Sequence, residues 1–174
     1  GYNPNPQSQQ LAILHQLKKI VSEAFSRQYH FVFTFIYAKG GERAKLLKTV
    51  EEMGCTYSII DRYLTDEEIG LLRKGTDIYL HMPQTDAFST TLLEHLYANN
   101  VVVTGTWLPY GKHRVHGVQF KEIEKISDLK ADDLNMNQSY KDNQSRIDEL
   151  IKSEKTAQNW LNIYKEAQQI SQDQ

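Results

Sequence analysis

The sequence predicts an α/β protein in which a parallel sheet carries helices on both faces. Three observations predict it. Short apolar segments alternate along the chain with longer ones whose apolar residues recur every three or four positions. The segment at 30–38 is apolar at successive rather than alternate positions, the pattern of a strand covered on both sides. With 174 residues, 40% of them hydrophobic and 24% charged, the chain can enclose one core and is too apolar to be disordered.

Each element follows from local chemistry. Asn5-Pro6 supplies an N-cap and a first helical residue, and Leu11, Leu14, Leu17, Val21 and Phe25 follow at helical spacing, which predicts a helix over 7–27. The strand at 30–38 is broken by Gly40-Gly41, and a second helix carries Leu46, Leu47, Val50 and Met53 on one face. Gly54 caps it, and 55–60 reads as the next strand. Thr65-Asp66-Glu67-Glu68 is a capping box, because Glu68 stands three residues after Thr65, and it opens a helix ending near Gly75. Strands at 77–80 and 101–104, the second closed by Gly105, flank a helix from Ser89 to Asn99-Asn100. A short strand at 118–120, a loop with a helical turn over 127–140, and helices over about 141–152 and 154–170 complete the chain. The last helix carries Trp160, Ile163, Tyr164 and Ala167 as a stripe that packs back on the domain.

The 20 basic and 22 acidic residues leave a formal charge of −2, which excludes a general attraction to nucleic acid. The single cysteine, Cys55, has no disulfide partner and no His/Cys cluster at zinc spacing, so a reducing, cytoplasmic setting fits. The longest apolar run, 31–38, is far short of the ~20 residues that span a bilayer. The polar start shows no secretory pattern, and without an initiator Met the chain is expected to be a piece of a longer protein.

Open parallel sheets bind ligands beyond the carboxyl ends of their strands, where strand order reverses. The segment 80–94 is the richest there. The amides of Thr90, Thr91 and Leu92, in the first turn of the helix that Ser89 begins, lack intrahelical acceptors and suit a phosphate. Glu94 lies one turn after Thr90 on the same side and leans toward the helix start, where a carboxylate could accept hydrogen bonds from both hydroxyls of a ribose. Asp86, in the approach loop, could bind a second sugar or its diphosphate link. The residues equally allow Asp86 to complement the helix dipole and Glu94 to be solvated.

These residues carry a family resemblance. Asp77-Ile78-Tyr79-Leu80, Asp86-Ala87-Phe88, Leu92-Leu93-Glu94 and Val101-Val102-Val103-Thr104-Gly105 resemble the C-terminal, nucleotide-sugar-binding domain of GT-B-fold glycosyltransferases. The capping-box helix and Trp160-Leu161-Asn162-Ile163-Tyr164 extend the resemblance over nearly the whole chain. It implies a doubly wound, Rossmann-like donor-binding domain over 1–174, preceded in the parent chain by an acceptor domain. The parent would transfer a sugar from a nucleotide-diphosphate sugar to an acceptor hydroxyl in glycan or polysaccharide synthesis, with no cofactor or metal. Membrane contact, at the inner face, would come only through the missing parts. This chain alone would bind donor weakly or not at all and would not turn over.

By the same resemblance, Glu94 matches the Glu that holds the ribose, and Asp86 stands where another Glu faces the donor sugar. Phe88, Ser89, Thr90 and Thr91 match the stretch whose amides meet the diphosphate. Asp86 in place of Glu, Ala87 in place of Gly, and a loop one residue shorter between Pro83 and Asp86 depart from the pattern and bear on the donor sugar and stereochemistry. Lys39 or Arg43 takes the place of a basic residue that neutralises the diphosphate, or is a solvated cation at a plain turn. Arg62 and Tyr63 stand where family members cradle the base; Tyr63 either stacks on it or, as the favoured reading, fills the core. Gly1-Tyr2-Asn3 is similar to the loop after the first strand of such a domain, which puts that strand ahead of residue 1.

In the 107–116 loop, Trp107 and Tyr110 could stack on sugars, and Lys112, His113 or Arg114 could meet phosphate or acceptor; the alternative is a partly buried surface loop. His113 and His116 have no third metal ligand nearby, and His81 and His95 are assigned to packing or surface. Two further functions fit the same architecture: a non-catalytic partner or scaffold of a glycosyltransferase, and a nucleotide-sugar epimerase.

Overall fold

A computed structural model describes residues 8–21, 28–35, 41–87, 89–135, 140 and 142–153. The helices are α1 (Gln10–Ile20), α2 (Gly41–Glu52), α3 (Asp66–Lys74), α4 (Thr90–Tyr97), α5 (Gly111–Val115) and α6 (Asn143–Ser153). The strands are β1 (His30–Thr34), β2 (Thr56–Ile60), β3 (Ile78–His81), β4 (Val101–Gly105) and β5 (Lys121–Ile123). Short 3-10 turns at Ile126–Asp128 and Ala131–Leu134 follow β5. The chain is thus a mixed α/β protein. Its described strands form two parallel sheets, β1-β2 and β3-β4-β5.

The helix starts and stops follow their caps. Thr65 Oγ1 accepts from the Glu68 amide and Glu68 accepts from the Thr65 amide, the reciprocal pair expected of the capping box. Ser89 caps α4 through its side chain, Gly54 takes a left-handed conformation (φ 71°) beyond α2, and Asn99 does the same (φ 61°) beyond α4. α1 begins at Gln10 rather than at 7, because Gln9 is left-handed (φ 56°) and its Nε2 is held by the Met82 carbonyl at 2.9 Å. Its predicted cap, Asn5-Pro6, and Phe25 lie outside the described residues, as do 36–38 of the first strand and the whole 154–170 helix with Trp160, Ile163, Tyr164 and Ala167.

Two apolar clusters make the core. The first gathers Leu14 and Leu17 of α1, Leu46 and Val50 of α2, Phe33 and Phe35 at β1, and Met82, Val103 and Ile123 from the second sheet. Both sheets therefore share one core. The second cluster packs Leu92 and Leu96 of α4 and Ile147 of α6 against Val102, Leu108 and Tyr110. Val102 and Val103 enter different clusters because successive strand side chains point to opposite faces. β4 is accordingly buried throughout.

Two expectations are corrected. Among the described residues β1 is covered on one face only: Phe31, Phe33 and Phe35 stack along the core side, while Val32 is 45% exposed and His30 bonds Thr56 Oγ1 and Ser58 Oγ at 2.7 and 2.8 Å on the other. The last strand is β5 at 121–123, not 118–120. The Asn143 side chain claims the Gln119 amide and carbonyl, both at 2.7 Å, and so removes that residue from any ladder. Among the described residues no helix is long and apolar enough to cross a membrane.

Candidate functional site

The carboxyl ends of β3 and β4 release two loops, 82–89 and 106–110, and side chains stitch the loops together. Alternation in β3 sends Tyr79 and His81 to the same face, where their rings stack 5.5 Å apart. A carboxylate can only accept, so His81 Nε2 donates to Asp86 Oδ2 at 2.7 Å while its Nδ1 accepts from the Tyr79 hydroxyl at 3.0 Å. Tyr110 also donates to Asp86 Oδ2, and the Ala87 amide donates to Asp86 Oδ1 at 2.8 Å. Trp107 Nε1 donates to the Pro83 carbonyl at 2.8 Å, with its ring laid over Gly105 so closely that a Cβ there would collide with it.

The electrostatics match a neutral histidine beside an ionised acid. Burial pushes His81 down, and Asp86 only partly offsets this. Burial pushes the Asp86 carboxyl up, but hydrogen bonds from Tyr110 and His81 outweigh it and hold the group below the usual range. Burial, then the Asp86 hydrogen bond, raises the Tyr110 phenol. Beneath them His95 stacks on Tyr79 at 3.9 Å and accepts at Nδ1 from Asn100 Nδ2 at 2.7 Å. Burial, and next Arg73, holds His95 at about 3.

Asp86 therefore reaches the carboxyl edge as expected, but with both oxygens engaged by the protein. Ser89 Oγ takes the Leu92 amide at 3.1 Å and the Ser89 carbonyl takes that of Leu93, so among the described residues the first-turn amides without an acceptor are those of Thr90 and Thr91. Glu94 is half-exposed, and its Oε2 accepts from Arg73 Nε at 3.1 Å, so a neighbouring helix holds it instead of leaving it free at the crevice mouth. Arg43, in the first turn of α2, stands 3.9 Å from Asp61 and 5.6 Å from the Phe35 ring, both just beyond the carboxyl ends of their strands. Arg62 grips both oxygens of Glu68 at 2.5 and 2.8 Å. Tyr63 is 67% exposed and does not fill the core. Lys39 and Phe88 lie outside the described residues.

The 107–116 segment, expected as a loop, holds α5; there Tyr110 and His113 are buried and give no platform to a sugar, and Arg114 pairs with Glu122 at 2.9 Å. Among the described residues no group of three or more His, Cys, Asp or Glu is arranged to hold a metal ion. The Tyr79–His81–Asp86–Tyr110 network was not legible in the sequence. Its only local signal is the two-residue spacing of Tyr79 and His81, while Tyr110 arrives from 29 residues beyond His81. In comparisons with known proteins, no family model, no curated protein and no solved structure matches the chain.

Proposed function

We propose that this chain is the nucleotide-sugar donor-binding half of a GT-B-type glycosyltransferase, a doubly wound domain in which the start of α4 receives the donor diphosphate. One observation carries this reading. An eight-residue helix begins at the carboxyl edge of a parallel sheet, its Thr90 and Thr91 amides without an acceptor among the described residues, one turn before the half-exposed carboxylate of Glu94. Arg43, at the carboxyl ends of β1 and β2, is the cation that this reading would bring to the diphosphate. In the parent enzyme these groups would offset charge on the leaving diphosphate while Glu94, released from Arg73, holds the ribose.

The scaffold alternative is favoured by a different observation. Asp86 and Glu94 are both satisfied within the protein, Asp86 by His81, Tyr110 and Ala87, and Glu94 by Arg73. Calorimetric titration with uridine, guanosine and thymidine diphosphates separates the two. A donor-binding domain gives saturable heat with one of them that falls about tenfold in affinity in Glu94→Ala, a loss of about 1.4 kcal/mol. Saturable heats that are equal for both proteins sink the ribose assignment.

A further inference from the structure

We propose that Ser58 and His30 form a nucleophile–base pair on the β1-β2 sheet, one that takes acyl groups from activated carboxylic esters. His30 and Thr56 begin their strands, so the pair stands toward the amino ends of β1 and β2, whereas the donor reading concerns carboxyl ends. The pair does not rest on that reading, whose titration can fail while the pair stands.

Strand register builds the pair. His30 lies opposite Thr56 and Val32 opposite Ser58 in the parallel ladder, and alternation puts all four on the face away from Phe33 and Ile59. His30, Thr56 and Ser58 are exposed, so an ester in solution can reach the hydroxyl. The imidazole spans the two β2 hydroxyls, with Nδ1 2.7 Å from Thr56 Oγ1 and Nε2 2.8 Å from Ser58 Oγ. Contacts at both nitrogens fix the ring, and the Ser58 distance lies inside the range of about 2.6–3.2 Å that a base needs from its proton donor.

A neutral imidazole donates from one nitrogen and accepts at the other, and a hydroxyl can do either. With the Nδ1 proton given to Thr56, the Nε2 lone pair accepts the Ser58 hydroxyl, which is the activated arrangement. Thr56 is then a positioning residue: it touches no substrate but holds the tautomer that leaves Nε2 basic. Its neutral hydroxyl takes the orienting place that a carboxylate holds in a serine triad. Val32, 45% exposed, stands beside Ser58 across the ladder, and Ile60 follows two residues on along the same face. The two give a short apolar shelf that suits a small apolar acyl group.

In the acylation step Ser58 Oγ forms a bond to the ester carbonyl carbon, and its proton passes to His30 Nε2. The bond from that carbon to the leaving oxygen breaks with its electron pair on the oxygen, and the imidazolium releases its proton to that oxygen or to water. The product is an acyl ester of Ser58. Water then attacks the acyl carbon, losing a proton to the same Nε2, and the Ser58 oxygen leaves and takes the proton back. Ester and water become carboxylic acid and alcohol, with no change of oxidation state.

The probe is p-nitrophenyl acetate, with release of p-nitrophenolate followed by absorbance and the acetylated residue located by peptide mass mapping. The expected result is acetyl-Ser58 in the wild type, and acetylation of Ser58 slowed about 100-fold in His30→Ala. Added imidazole should restore part of the rate in His30→Ala, which a purely structural role for the ring would not allow. Because the substituted positions are exposed, the melting temperature should stay unchanged. Nitrogen-15 NMR of the wild-type His30 ring is a second measurement that needs no variant: the proton is expected on Nδ1, and Thr56→Val should shift it toward Nε2. The proposal is overturned if acetyl groups sit only on other residues, or if Ser58 is acetylated as fast in His30→Ala as in the wild type. It is equally overturned if the wild-type ring carries its proton on Nε2.

Discussion

Asp86 is the hinge pin of the carboxyl edge, because one carboxylate joins the 82–89 loop to β3 through His81 and to the neighbouring loop through Tyr110. Asp86→Asn keeps the shape but replaces an ionised acceptor of three hydrogen bonds with a neutral amide. Urea unfolding should show a loss of about 1–3 kcal/mol, with the midpoint lowered and the slope unchanged. His95 sets an acid limit. Its folded-state value of about 3 lies below the ordinary 6.5, so on acidification the unfolded chain takes the proton first. The stability this group contributes is complete above 6.5 and is lost as pH falls from there toward about 3, at about 1.4 kcal/mol per pH unit. His95→Phe keeps the stack on Tyr79 and removes the titration, so its stability should fall less steeply than the wild type's when unfolding is measured across that window.

The capping chemistry of single elements makes its own predictions. Ser89→Ala exposes the Leu92 amide at the start of α4 and should cost about 1 kcal/mol, read by thermal unfolding. Gly105→Ala puts a methyl group into the Trp107 ring and should displace it. The check is the exchange rate of the Trp107 indole N–H, which the Pro83 carbonyl now protects and which should speed up in the variant. Elements bounded by a local cap were legible in advance, as α3 shows: the residues that start it, Thr65 and Glu68, are three apart. β5 was misplaced because the residue that takes Gln119 out of the ladder, Asn143, is 24 positions away. The second face of β1 was misjudged for a related reason. An apolar run reports what a strand can bury, and only its neighbours decide what it does bury.

Among the described residues no hydrogen bond joins the strands of the two sheets, yet both share a single apolar cluster, and this should make them unfold together. Leu46→Ala, deep in that cluster, should cost about 2–5 kcal/mol, and exchange protection in β2 and β4 should fall by the same factor. Protection lost from β2 alone would mean that the sheets are separate cooperative units.

Helix periodicity, the Thr65 box, the Ser89 cap and the unbroken Val101-Val102-Val103 run were all local in the chain, and they sufficed for an α/β protein with parallel strands and for the position of α4 at their carboxyl edge. What the two acids at that edge touch was decided in three dimensions: Tyr110 and Arg73 reach Asp86 and Glu94 across 24 and 21 residues. The reason is physical. Caps and periodicity depend on backbone geometry within a turn or two, whereas the partner of a polar side chain depends on which distant segment the shared core brings alongside it.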